Sequence, residues 1–306
     1  NYETLVKLSP IFYGIFIILL IAVMFTKPVN GATSWFDIGF FSFQPSEFAK
    51  IAVILFLTYV ISKIQERYAE DINKPTRLLI IFVTISIPLL LIIKQPDFGT
   101  AMAFCIALAM MLFTAGIDKK YIIGTILIAT ISIPLLYNFV LPDHAKKRID
   151  IFLNPESDPR GSGYNIIQSK LAIGAGQLTG MGLLKGNQTQ LGYLYPKTTD
   201  FIFSVIGEEF GFVGCIVVLL LLFMLIYRSI QIAYTCNDNF GMLLATGIGT
   251  MFAFEVLVNV GMTIGIMPVT GIPLPFLSYG VSALTTNMLS IGILLNIARQ
   301  RTKYIF

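Results

Sequence analysis

The sequence predicts an all-α, polytopic integral membrane helix bundle with eight spans. Three observations carry that expectation. The 306 residues are 56% hydrophobic and only 12% charged, against roughly 25% charged residues in soluble domains. Mean hydropathy is +0.79. Apolar runs repeatedly reach the roughly 20 residues that a helix needs to cross a bilayer, and none alternates with the period of two that a β-barrel strand shows.

The eight segments lie at about 10–27, 46–62, 78–94, 98–116, 120–141, 201–228, 241–262 and 281–298. Glycine and proline inside them are tolerable, because neighbouring helices can satisfy the freed backbone groups. The whole of 1–306 reads as one membrane domain without repeats. Its longest stretch without a span, 142–199, reads as a large structured extracytoplasmic loop. The chain opens on Asn1 rather than Met, so an N-terminal piece is expected to be missing.

Orientation follows from Lys and Arg in short loops. Lys7, Lys63, Arg67, Lys74, Arg77, Lys119, Lys120, Arg228, Arg299, Arg301 and Lys303 fall on one side, while 28–45 and 263–280 carry none. The basic side is expected to be cytoplasmic and to hold both termini. The 142–199 loop breaks the pattern with seven Lys or Arg, among them Arg148, Lys170 and Lys197. Long loops escape the rule, so solvated charge explains this as well as an anion-attracting surface does.

Cys105, Cys215 and Cys236 have no CxxC spacing, which predicts neither a disulfide nor a thiolate metal site. His144 is the only His, so a Ser-His triad is unsupported. There is no P-loop and hence no sign of nucleotide use.

Two loops look structured. Gly31 to Glu47 carries Trp35, whose ring suits an interface, and Ser46 reads as a helix N-cap with Pro45 just outside. Within 142–199, the spacing of Ile166, Ile167, Leu171 and Ile173 predicts an amphipathic helix too short to span. Residues 261–280 hold three prolines and four glycines. Such backbone is tolerated at membrane depth only where protein or water covers it, so a rigid re-entrant loop is expected.

Ionisable residues near hydrocarbon depth mark the candidate site. Glu47 and Lys50 are three apart at the start of a span, which makes them helical neighbours. An interfacial ion pair is the plain reading, and a place in a wet cavity the sharper one. Asp97, between Pro96 and Phe98-Gly99, reads first as a turn or cap residue. Asp200 ends a polar, basic loop and opens an apolar helix. It is a good N-cap candidate, yet that border also lets one carboxylate meet a soluble and a lipid-borne group together. Glu208 and Glu209 lie about 12 Å deeper and need inward-facing partners or water. Glu255 reads as structural.

Six motifs are spread along the chain: Gln44-Pro45-Ser46-Glu47-Phe48-Ala49-Lys50, Gln95-Pro96-Asp97-Phe98-Gly99-Thr100 and Asn154-Pro155-Glu156-Ser157-Asp158-Pro159, then Tyr164-Asn165-Ile166-Ile167-Gln168-Ser169, Thr199-Asp200-Phe201-Ile202-Phe203 with Glu208-Glu209, and Pro275-Phe276-Leu277-Ser278-Tyr279-Gly280. Together they resemble the SEDS family of bacterial cell-wall proteins, which includes RodA, FtsW and a sporulation paralogue. The resemblance runs along the whole chain, and Met267 to Pro275 looks more like RodA than FtsW. Val281 stands where the family usually has a second Gly. The family has ten spans, so the first two are expected to be absent.

What the resemblance implies is a peptidoglycan glycosyltransferase. Such an enzyme polymerises lipid II, an undecaprenyl-diphosphate disaccharide-pentapeptide, on the outer face of the bacterial cytoplasmic membrane, for cell elongation and rod shape. Asp200 matches the family's essential aspartate and is expected to act as general base or orienting group. The substrate-binding or cavity candidates are Glu47, Lys50, Arg148, Gln168, Ser169, Lys170, Lys197, Thr199 and Ser278, with Arg148 and Lys170 chosen on charge to face the leaving diphosphate. The expected partner is a class B penicillin-binding protein, a transpeptidase, alongside membrane lipids and no nucleic acid. A divalent cation near Asp200 stays open. Two other classes fit the same features: a lipid II flippase, and a non-catalytic scaffold that activates the transpeptidase.

Overall fold

The computed structural model describes every residue except 1, 28–32, 38, 40–41, 67, 140–145, 147–149, 160 and 302–306, and leaves the side chains of 129, 131–139, 162 and 301 undescribed. The chain is predominantly helical. Its helices include α1 (Tyr2–Val23), α2 (Pro45–Gln65), α3 (Pro75–Lys94), α4 (Phe98–Thr114), α5 (Lys119–Phe139), α6 (Ser162–Ala175), α7 (Asn187–Gln190), α8 (Ile202–Tyr234), α9 (Asn239–Ile264) and α10 (Val281–Arg301). Residues 36–37 and 42–43 pair as a short antiparallel ribbon ahead of α2. Each of the eight segments expected to span contains one of these helices, α1–α5 or α8–α10. Among the described residues, five helices are long and apolar enough to cross a membrane: α1, α3, α8, α9 and α10.

The chain divides into two compact units, one of residues 1–117, 223–255 and 279–306, the other of 118–222 and 256–278. In the first unit α1 packs along α2, and both contact α3. Tyr13 meets Phe56 at 4.5 Å between ring centroids, and Phe16 stacks on Phe48. Large apolar side chains on the opposite face of α1, such as Ile11 and Ile18, stay exposed, as lipid-facing residues would.

Two prolines inside these helices show how membrane backbone is kept satisfied. A proline at position i leaves the carbonyl of i−4 without its amide partner. Pro10 orphans Val6, and the Ser9 hydroxyl donates to that carbonyl at 2.6 Å. Pro88 orphans Thr84, and the Tyr13 hydroxyl donates there at 2.7 Å. The sequence-based start of the first span at residue 10 is corrected for this reason: with its carbonyl served, Pro10 sits inside a helix that begins at Tyr2.

A second correction concerns α2. Its N-cap is Gln44, and Pro45 occupies the first helical turn, where a missing N–H costs nothing and φ is already helical. The Gln44 amide donates to Ser282 Oγ at 3.0 Å, and Ser46 is buried rather than capping.

In the second unit, α8 is not the continuous span expected at 201–228. It breaks at Gly211, where φ is 66° and ψ −163°, a region essentially open to glycine alone. The turn-rich run 177–182 fills the break. Phe212 and Val213 donate to the carbonyls of Gln177 and Leu178, and Met181 and Gly182 donate to those of Glu208 and Glu209. Four backbone bonds thus replace what the helix loses, so the break is covered by protein. The core of this unit gathers Phe203, Cys215, Leu222 and Leu274, with Ile173, Val256 and Val260 packed against it.

Candidate active site

Asp200 lies in the second unit, in the turn immediately before α8. Among the described residues, its carboxylate is hydrogen-bonded by the Thr199 hydroxyl; no first-turn amide of α8 caps onto it. Its Oδ2 faces Gly271, 3.8 Å from where a Cβ there would stand. Burial pushes the carboxyl above the usual aspartate range, and the Thr199 hydrogen bond partly offsets that rise.

The backbone under Asp200 is tied to the 265–280 loop. Asn259 of α9 donates through Nδ2 to the carbonyls of Asp200 (3.1 Å) and Ile272 (2.8 Å). Ser278 Oγ accepts from the Leu274 amide (2.7 Å) and donates to the Thr199 carbonyl (2.6 Å). Ile272 and Leu274 are buried, while Ile266, Leu277 and Tyr279 of the same loop are exposed. Ser278 therefore supports the site rather than standing open in a cavity. Asn259 was missed in the sequence; the available signal was an amide inside an apolar helix.

The amphipathic helix expected near 164–174 is α6. Ser169 is fully buried on it, with its hydroxyl 2.6 Å from Ser204 Oγ and donating to the Thr263 carbonyl at 2.7 Å. Its polar valence is spent inside the bundle. Gln168 keeps a buried Oε1 without a partner. Lys170 is exposed, its stem lying against Gly265 of the loop, and among the described residues its ammonium has no carboxylate partner. Lys197 Nζ donates to the Thr189 carbonyl at 2.7 Å. Arg148 lies outside the described residues.

Glu208 and Glu209 have the inward partners that their depth demands. Glu208 accepts from the amides of Gln188 (2.7 Å) and Thr189 (3.0 Å), holding the start of α7. Glu209 accepts from Gln190 Nε2 at 3.1 Å. Gly186 is required here, because a Cβ would overlap the Glu208 carboxylate.

Glu47 and Lys50 lie in the first unit. Lys50 Nζ sits 3.0 Å from Glu47 and 2.5 Å from Glu255, with all three side chains at most 4% exposed. Glu255, read from sequence as structural, completes this buried triad. Close by, Asp97 caps α4: it accepts the Thr100 amide (3.1 Å) and hydroxyl (2.9 Å), as its turn setting predicted. Among the described residues, no group of three or more His, Cys, Asp or Glu is arranged to hold a metal ion.

The pattern of the FtsW/RodA/SpoVE family, described as "Cell cycle protein", matches residues 1–303. The chain belongs to this family. It is 42% identical over 296 residues to the peptidoglycan glycosyltransferase MrdB of Escherichia coli K12, covering 96% of this chain and 78% of that protein. It is 43% identical over 289 residues to the probable peptidoglycan glycosyltransferase FtsW of Trichlorobacter lovleyi, covering 93% and 74%. Among solved structures, one described as "Structural coordination of polymerization and crosslinking by a peptidoglycan synthase complex" aligns with a TM-score of 0.81 and 28% identity, over 99% of this chain and 84% of that one. The rod shape determining protein RodA of Thermus thermophilus aligns at TM-score 0.67 and 26% identity, over 98% and 81%. With five helices long and apolar enough to cross a membrane among the described residues, the chain is a multi-pass membrane protein.

Proposed function

We propose that the chain is a peptidoglycan glycosyltransferase that polymerises lipid II into glycan strands, with Asp200 as its general base. The observation that carries this is a partly buried carboxylate left uncapped at a helix entrance, with its proton affinity raised. A raised proton affinity makes the carboxylate a better proton acceptor. Asp200 accepts the proton of the acceptor sugar hydroxyl as that oxygen bonds to the donor's anomeric carbon. The bond from that carbon to the diphosphate oxygen breaks, and undecaprenyl diphosphate leaves with the electron pair. Cations at the site stabilise the leaving charge. Among the described residues Lys170 fits that role, being exposed and without a carboxylate partner.

The setting is the bacterial cytoplasmic membrane, crossed by eight spans with both termini of the chain inside and 142–199 outside, in line with the distribution of Lys and Arg. The partner is a class B penicillin-binding protein that cross-links the new strands. The family resemblance supports both statements, and the synthase-complex likeness supports the second.

A lipid transporter is the second reading. The buried Glu47–Lys50–Glu255 triad favours it, since ionisable groups inside spans often line transport paths. Purified protein in lipid II vesicles separates the two. Long glycan chains without accelerated flipping support the polymerase; flipping without glycan contradicts it. Partner activation that persists without glycan synthesis identifies the scaffold.

A further inference from the structure

We infer that Asn259 and Ser278 are positioning residues for Asp200, a role that rests on reading Asp200 as the general base. The intrahelical bonding of α8 begins at the Phe201 carbonyl, which accepts the Ser204 and Val205 amides. The two carbonyls just before it, Thr199 and Asp200, are left for side chains to serve. Ser278 Oγ serves the first at 2.6 Å and Asn259 Nδ2 the second at 3.1 Å. Both side chains have their other bond on the 265–280 loop, at the Leu274 amide and the Ile272 carbonyl.

Two polar rungs therefore lock the base-bearing turn to that loop, with the Asp200 carboxylate facing Gly271 between them. The amide of Asn259 has one usable orientation. Nδ2 meets two carbonyl oxygens, and a flipped amide would set its oxygen against both. Asn259 is fully buried, and its Oδ1 has no partner, so the residue acts through its donors alone. Neither side chain touches the Asp200 carboxylate; each fixes the backbone from which that carboxylate projects. Misplacing a reacting group by about 1 Å can cost about 100-fold in rate.

The test uses the full chain in nanodiscs with labelled lipid II, and reads kcat, KM and the thermal midpoint. Asn259→Leu is expected to lower kcat about 10–100-fold with KM little changed, and to lower the midpoint because it orphans the Asp200 and Ile272 carbonyls. Ser278→Ala is expected to lower kcat, and Ser278→Thr, which keeps the hydroxyl, to restore it. In an Asp200→Asn background neither change should reduce the residual rate further, because a positioning residue acts only through the base. Wild-type kcat in both single variants overturns the inference, as do losses that repeat undiminished in the Asp200→Asn background. If Asn259→Leu does not fold, the Ser278 pair decides alone. An inactive wild-type chain would count against the glycosyltransferase reading itself, a result distinct from either.

Discussion

Lys50 and Glu255 meet at 2.5 Å although 205 positions separate them in sequence. With Glu47 at 3.0 Å on its other side, the Lys50 ammonium is, among the described residues, the one cation paired with these two buried carboxylates. Removing it leaves both carboxylates uncompensated, and breaking a buried ion pair this way typically costs about 3–5 kcal/mol. Lys50→Met should therefore lower the thermal midpoint strongly, and adding Glu47→Gln and Glu255→Gln should recover much of the loss. An unchanged midpoint in Lys50→Met would show that the triad contributes no stability.

The break in α8 gives a second expectation. Gly211 holds a backbone conformation that other residues reach only at a cost of about 1–3 kcal/mol, and a Cβ there would also crowd Leu178 and Gly180. Gly211→Ala should destabilise the protein by at least that amount and expose 177–182 to protease. Glu208→Ala should act on the same region by orphaning the Gln188 and Thr189 amides, at about 1–3 kcal/mol. Limited proteolysis with mapped cut sites checks both.

Hydropathy made the helices legible, because a spanning segment announces itself by length and apolarity within one window. Asp97 as a cap was legible too, since Thr100 lies within the same turn. What stayed hidden depends on contacts between distant segments. Nothing local to Glu255 indicates that Lys50 is its partner, and nothing local to Asn259 points to the Asp200 carbonyl. The helix start at Tyr2 was obscured by Pro10, whose cost is removed by the neighbouring Ser9 hydroxyl. The break at Gly211 had a weak local sign in the glycines at 207, 211 and 214. Only the bonds from 177–182 show why the helix yields there.

The raised proton affinity of Asp200 fixes the sign of two pH effects. The carboxylate is the active form, so the acid limb of kcat/KM should lie above the ordinary aspartate value of about 3.9. Thr199→Val removes the hydrogen bond that holds the carboxyl down and should move that limb higher still. For stability the sign is opposite. The native state favours the protonated acid, so stability is lost as pH rises from the unfolded-state pKa through the higher folded one. Asp200→Asn should thus be no less stable than wild type at neutral pH. A pH–rate profile and thermal midpoints at two pH values decide this.

Lys170 should act on substrate charge rather than on the fold, since it is exposed and its ammonium has no carboxylate partner among the described residues. Lys170→Ala is expected to reduce kcat/KM for lipid II, as loss of one leaving-group cation would, with the midpoint unchanged. Initial rates across a lipid II titration read this directly, and an unchanged kcat/KM assigns the leaving charge to other groups.

The most direct measurement is the initial rate of lipid II polymerisation by the purified chain and by Asp200→Asn, under conditions where both are equally folded. A positioned general base contributes typically about 10²–10⁴-fold. Long glycan is expected from wild type, and a loss of that size in the variant. Equal rates from the two proteins would contradict it.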